Sequence, residues 1–133
     1  MQYTSHYSAE DIVVPIAAIP LALSNLKQIG EQYGVSIPVL GHAGDGNLHA
    51  VPLKNPEISI EHWEEILPVL LKDVYVMTAK LGGTISGEHG IGHKRRDYMS
   101  LVMSEAHLDM MRKIKRALDP KNILNPGKVF NLV

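Results

Sequence analysis

The chain has 133 residues, a formal net charge of −1 with its seven histidines counted as neutral, and no cysteine. This length predicts one compact domain, and the near-zero charge argues against a nucleic-acid binder, which would carry a basic patch. Without cysteine, disulfides and thiolate metal sites are excluded. The sequence has no apolar run of about eighteen residues and no signal-peptide pattern, so we expect no transmembrane segment and a cytoplasmic location.

The first half of the chain predicts three strands and one helix after a flexible start at 1–10. Apolar residues at helical spacing follow Pro20, and Gly34 fits the position just past the end of that helix. The first strand is β-branched and is expected to leave an open edge at residues 12–14. The three strands are expected at 11–15, 35–40 and 48–53.

The second half predicts two helices separated by a short extended segment at 84–86. Ser59 is expected to cap the first of these helices, and Pro68 is expected to kink it or to mark its true start. Ser104 is expected to start the last helix, which Asp119-Pro120 should stop. The mixed order of strands and helices, with a hairpin-like connection, predicts an α+β fold in which helices cover a small antiparallel sheet.

Two glycine-rich stretches, motif 1 (41–49, GHAGDGNLH) and motif 2 (82–92, GGTISGEHGIG), carry most of the chemical information. Together they hold eight of the eleven glycines and three of the seven histidines. Glycine at this density indicates backbone in unusual conformations or in close approach to another group. Histidine and glutamate set among such glycines indicate a metal site or a catalytic site.

The histidines of motif 1 could bind a divalent metal. His42 and His49 flank a loop that can fold back on itself, and two imidazoles with one carboxylate form a common ligand set for zinc or manganese. Glu88 is the best third ligand, which leaves His89 free to act as a base or to orient a substrate. The alternative is that both histidines only hydrogen-bond loop backbone, and spacing alone favours neither interpretation.

Other polar residues near the motifs have less specific interpretations. Asp45 could orient a ligand histidine, but a turn that its side chain stabilises is the favoured role. The cluster Lys94, Arg95 and Arg96 is expected to be a solvated face, with contact to a carboxylate or phosphate as the alternative.

Three segments resemble, in order, the C-terminal part of FAD-linked oxidases of the vanillyl-alcohol oxidase superfamily. They are 41–49, 83–92 with Lys94, and 119–128. That family includes D-lactate dehydrogenases, the flavin subunit of glycolate oxidase and D-2-hydroxyglutarate dehydrogenases. The resemblance implies that 11–133 is a ferredoxin-like cap-domain fragment that binds substrate and metal, and that the FAD-binding domain is absent from this chain.

The resemblance also implies roles for single residues. Zinc or manganese is expected at His42, His49 and Glu88, and His89 is expected to remove the substrate hydroxyl proton while FAD accepts the hydride. The resemblance further implies that Asn47 and His89 contact the substrate. It also implies that the cofactor is contacted by Asn125, Gly127 and Lys128. Ala9 and Val51 stand where the D-2-hydroxyglutarate enzymes have Lys and Asn, so a preference for 2-hydroxyglutarate is not predicted.

The leading hypothesis is the substrate- and metal-binding part of an FAD-dependent 2-hydroxy acid dehydrogenase, such as glycolate oxidase or D-lactate dehydrogenase, inactive on its own. We expect a 2-hydroxy acid substrate, an FAD-binding chain as a possible partner, and a homo-oligomer. One alternative is a non-enzymatic module that binds a partner or itself through apolar surface. Another is a metal hydrolase that uses His42, His49 and Glu88.

Overall fold

A computed structural model describes residues 6–132 of the chain. The helices are α1 (Ile19–Gln32), α2 (Ile60–Lys80) and α3 (Glu105–Leu118), and the strands are β1 (Ile12–Val13), β2 (Val39–His42) and β3 (Asn47–Ala50). Two short 3-10 helices lie at Ile16–Ala18 and Arg96–Leu101. None of the helices within 6–132 combines the length and the apolar composition that crossing a membrane requires.

The three strands form one antiparallel sheet in the order β1-β3-β2. The predicted α+β fold with a small antiparallel sheet is therefore confirmed. Motif 1 is itself the β2–β3 hairpin, in which His42 pairs with Asn47 and Leu40 pairs with His49. The second strand begins later than predicted, because Pro38 has no N–H to donate to the ladder.

The open edge of the described sheet is β2, not β1. Val13 exchanges two backbone hydrogen bonds with Thr84, both 2.9 Å long, so the outer side of β1 is covered. The prediction of an open edge at 12–14 is therefore wrong. The short strand predicted at 84–86 is reduced to this single bridge.

The predicted helix boundaries are largely confirmed. The Ser59 hydroxyl accepts the His62 N–H at 3.1 Å and caps α2, and Ser104 caps α3 in the same way. Gly34 follows α1 with φ +65°, a conformation that favours glycine. Pro68 lies inside α2, so it does not mark the start of that helix.

The apolar core lies where α2 packs against α1 and β1. Ile12, Leu26, Leu70 and Val74 are all fully buried there. Burying a side chain of this size contributes about 1.5–3 kcal/mol. The core therefore fixes β1, and with it the residues that immediately precede that strand.

The segment before β1 is attached to the sheet. Ser8 N–H donates to Pro52 O at 3.0 Å, Glu10 N–H donates to Ala50 O at 2.9 Å, and the Glu10 side chain is fully buried. A flexible start was expected at 1–10, and its residues 1–5 lie outside the described part of the chain. At 8–10 the structure differs from that expectation, because these residues extend the pairing beside β3.

Candidate functional site

The turn of motif 1 is fastened to β1. Val14 N–H donates to Gly46 O at 3.1 Å. Gly46 has φ +79°, and a Cβ at this position would lie 2.0 Å from Val14 O, so only glycine fits. Asp45 Oδ1 accepts the Asn47 N–H at 3.1 Å, which confirms its predicted role in the turn. The hairpin therefore holds His42 and His49 at fixed positions relative to β1.

Three imidazoles surround one carboxylate oxygen. Glu88 Oε1 lies 3.1 Å from His49 Nε2, 3.6 Å from His89 Nε2 and 3.8 Å from His42 Nε2. The His49 ring stacks on the His89 ring at 4.9 Å between centroids and meets the His42 ring edge-on at 5.7 Å. The structure thus brings the predicted residues of both motifs together, although 39 positions separate His49 from Glu88 in sequence.

The cluster is buried on one side and open on the other. The His49 side chain is 13% exposed, whereas the Glu88 and His42 side chains are 51% and 61% exposed. The His89 side chain is 46% exposed. A small molecule can therefore approach Glu88, His42 and His89 from solvent, while His49 forms the floor of the site.

Asp11, directly before β1, organises the loop that carries Glu88 and His89. Its carboxylate is fully buried. Five groups donate to it at 2.7–3.0 Å: the N–H groups of Gly87, Glu88 and His89, the Ser86 hydroxyl and the Asn47 side-chain amide. Burial alone would raise the pKa of the Asp11 carboxyl, but the hydrogen bonds outweigh burial and hold this pKa well below its usual range.

The donor set of the cluster fits a divalent metal. Asp11, His49, Glu88 and His89 each offer one ligand-type atom within 4.8 Å of the others. Four donors nevertheless occupy Asp11 Oδ2, whereas within residues 6–132 Oδ1 accepts only the Asn47 side-chain amide. The group holds His89 and not His42, but His42 Nε2 lies 3.8 Å from Glu88 Oε1, so the predicted set of His42, His49 and Glu88 could also hold the ion. Imidazole with carboxylate is chemistry suited to zinc or manganese.

A second buried carboxylate, Glu10, pairs with two basic residues that follow motif 2. Lys94 Nζ lies 2.5 Å from Glu10 Oε1, and Arg95 Nε lies 3.4 Å from Oε2. Tyr75 also donates its hydroxyl to Glu10, and burial together with this carboxylate raises the pKa of Tyr75. Arg95 is only 5% exposed, so the predicted solvated face is wrong at this residue: a buried carboxylate requires a nearby cation.

The sequence interpretation missed the role of Asp11 in the site and the separate ion-pair network of Glu10. Both residues were assigned only to a chain start and a strand. Two adjacent carboxylates directly before a buried β-branched strand were the available signal, because charged groups at the edge of a core must find partners.

The family model described as FAD linked oxidases, C-terminal domain, matches residues 1–129. The chain belongs to this family. Among relatives of this FAD-linked oxidase domain, the D-lactate dehydrogenase of Archaeoglobus fulgidus is 41% identical over 119 residues, which cover 90% of the chain and 26% of the relative.

Two further relatives carry different names. The glycolate oxidase subunit GlcD of Bacillus subtilis is 38% identical over 121 residues, covering 91% of the chain and 25% of the relative. The D-2-hydroxyglutarate dehydrogenase of Stutzerimonas stutzeri is 36% identical over 130 residues, covering 95% and 28%. The FAD-linked oxidase domain thus spans about a quarter of the length of these curated relatives.

The remaining residues predicted to contact substrate or cofactor lie in two places, the buried side of β3 and the C-terminal tail. In the FAD-linked oxidase domain Asn47 is 5% exposed, and its Nδ2 donates to Asp11 Oδ1 at 2.9 Å. In the tail that holds Asn125, Gly127 and Lys128, Arg96 donates to Gly127 O at 3.1 Å, and Val129 N–H donates to Gly92 O at 2.7 Å. The tail therefore lies beside the end of motif 2. The roles of Asn47 and of the three tail residues stay predictions.

Proposed function

We propose that this chain is the substrate- and metal-binding part of an FAD-dependent 2-hydroxy acid dehydrogenase or oxidase. The observation that carries the proposal is the convergence of His42, His49 and His89 on one oxygen of Glu88. The names of the relatives support 2-hydroxy acids as the substrate class, with glycolate and D-lactate as the first candidates to test.

Each residue of the cluster has a distinct task in this proposal. His42, His49 and Glu88 would hold zinc or manganese, which when bound would polarise the substrate hydroxyl and bind its carboxylate. His89 stands beside them with its Nε2 3.6 Å from Glu88 Oε1 and nearly half of its side chain exposed. A substrate hydroxyl placed at the open side could therefore give its proton to His89 Nε2.

The redox step requires a group outside these residues. FAD, supplied by another part of a longer protein or by a separate chain, would accept the hydride of the substrate α-carbon. With the hydroxyl proton on His89, the products are a 2-keto acid and reduced flavin. On its own the chain is then a binding unit without turnover.

Metal content tests the proposed ligands. Purified chain should take up about one zinc or manganese ion. His49→Ala should lose it, because His49 forms the floor of the cluster. The matched control is His62→Ala, an exposed histidine on α2 that should retain the metal. Equal metal content in the His49→Ala variant and the wild type would contradict the site.

Flavin reduction tests the proposed base. In the chain joined to a complementing FAD-bearing part, His89→Asn should keep metal and 2-hydroxy acid binding. It should lose flavin reduction by about a hundredfold or more, as expected for a lost general base. Unchanged flavin reduction in this variant would remove His89 from the chemistry.

Self-association is a second candidate function, and an exposed apolar stripe favours it. Met110, Ile114 and Leu118 repeat every four residues on α3 and are 54–79% exposed, and Ile123 and Leu124 after the helix are exposed as well. We propose a homo-oligomer formed through this face. Sedimentation should show an oligomer at micromolar concentration that Leu118→Asp dissociates; a monomeric wild type would contradict it.

A further inference from the structure

Asp11 determines where Glu88 and His89 stand. One of its oxygens, Oδ2, accepts the N–H of Gly87 at 2.9 Å, of Glu88 at 3.0 Å and of His89 at 2.7 Å. Three consecutive amides can meet at one oxygen only if the backbone curls around it, as in the anion-binding turns of other proteins. The positions from which the Glu88 and His89 side chains extend are thus tied to a fully buried group.

The other oxygen of Asp11 faces His49. His49 Nδ1 lies 4.0 Å from Asp11 Oδ1, while His49 Nε2 lies 3.1 Å from Glu88 Oε1. Within residues 6–132, His49 Nδ1 is a buried polar atom without a hydrogen-bond partner. A histidine that ligates a metal through one nitrogen almost always donates its other N–H to a carboxylate, a carbonyl or water. Asp11 Oδ1 is the carboxylate oxygen on that side of the ring, and a shift of about 1 Å would bring it within hydrogen-bond distance of His49 Nδ1.

We propose that Asp11 is the positioning residue of this site. It orients His49 through Nδ1–H and fixes Glu88 and His89 through their amides, without ligating the ion itself. The inference rests on the proposed metal site. We assign Asp11 this outer role because its Oδ2 already accepts four hydrogen bonds from residues 86–89, while its Oδ1, bonded to Asn47, lies on the Nδ1 side of His49.

Glu10 provides a matched control one residue away. It is as buried as Asp11 and carries the same charge. Successive side chains of an extended segment point to opposite faces, and Glu10 accordingly pairs with Lys94 and Arg95 instead of the 86–89 loop. Glu10→Gln therefore removes a buried charge without touching the contacts of Asp11.

The experiment compares zinc affinity in the wild-type chain, Asp11→Asn and Glu10→Gln. Affinity is measured by competition with a chromophoric chelator, on protein shown to be folded by urea unfolding. Asp11→Asn should weaken zinc binding by about 10–100-fold, the usual effect of losing an outer partner of a ligand histidine. Glu10→Gln should lower stability but keep an affinity close to that of the wild type.

Two further measurements separate positioning from a general effect on folding. In metal-free protein, the Glu88 and His89 amides should exchange with solvent faster in Asp11→Asn than in Glu10→Gln. In zinc-loaded wild type, which requires no variant to fold, NMR should show a hydrogen-bonded His49 Nδ1–H proton. Absence of that proton signal overturns the inference.

The outcomes distinguish this inference from the function on which it rests. Wild-type zinc affinity in Asp11→Asn overturns the positioning role and leaves the metal site intact. A changed cobalt(II) absorption spectrum in Asp11→Asn would make Asp11 a ligand and also overturns the inference. A wild-type chain that binds no metal overturns the proposed metal site. In that case the amide-exchange experiment alone tests Asp11, and equal exchange of the Glu88 and His89 amides in Asp11→Asn and Glu10→Gln overturns its positioning role.

Discussion

Gly46→Ala should be one of the most damaging single-methyl changes in this chain. The new Cβ would lie 2.0 Å from Val14 O and the residue would keep φ +79°. An alanine held in the left-handed backbone conformation costs about 1–2 kcal/mol. Opening the contact by about 1 Å adds an overpacking cost of about 1–3 kcal/mol, and breaking the Val14–Gly46 hydrogen bond costs about 0.5–1.5 kcal/mol. We expect a loss of about 2.5–6.5 kcal/mol, a large part of the stability of a small domain.

Gly44→Ala is the matched control for this change. Gly44 lies two residues earlier in the same motif, and a Cβ there would meet no atom within 4 Å. Urea unfolding can be followed by the fluorescence of the single tryptophan, Trp63, which is buried in α2. Gly44→Ala should stay within about 0.5 kcal/mol of the wild type. The reasoning is refuted if Gly46→Ala is equally mild, or if both variants lose the same stability.

Three further predictions concern the packing of the core, the cap of α2 and the ionisation of Tyr33. Leu70→Ala, at a fully buried position, should cost about 2–5 kcal/mol in urea unfolding, whereas Val69→Ala, at its half-exposed neighbour, should cost far less; equal losses would contradict the packing. Ser59→Ala should cost about 1 kcal/mol by removing the cap of α2, and no loss would mean that the cap is not formed in solution. The hydrogen bond to Asp73 raises the pKa of Tyr33 to about 12, so its stabilisation is present below the ordinary tyrosine pKa of about 10 and is lost as the pH rises through about 12. Ultraviolet titration of wild type against Tyr33→Phe should show one phenol ionising late, and a normal Tyr33 transition would contradict this.

The elements that the sequence predicted well are those with local signals. Ser59 and Ser104 stand before periodic apolar runs, and Gly34 follows one, so the helix ends can be located from a few neighbouring residues. The hairpin of motif 1 was equally predictable, because its glycines require unusual backbone between two apolar strands.

What could not be predicted depends on contacts distant in sequence. The bridge between Val13 and Thr84, which covers the edge of β1, has no signature at either residue. The partners of Glu10 and Asp11 are distant too, so their charges indicated that partners must exist but not which ones. His42, His49 and Glu88 were candidates from their types and spacing, while their convergence became visible only in three dimensions.

The hydrogen bonds of Asp11 also bear on the order in which this domain can fold. The carboxylate and the amide of Gly87 are 76 positions apart. Closing a loop of that length costs about 4 kcal/mol of chain entropy. A ribosome releases Asp11 early and its main donors much later, so a nascent chain that ends before residue 86 holds a carboxylate at the edge of its core with most of its partners missing. In such a chain β1 already has β3 as a partner, but Asp11 lacks the amides of residues 87–89, so the site forms only once motif 2 has been synthesised.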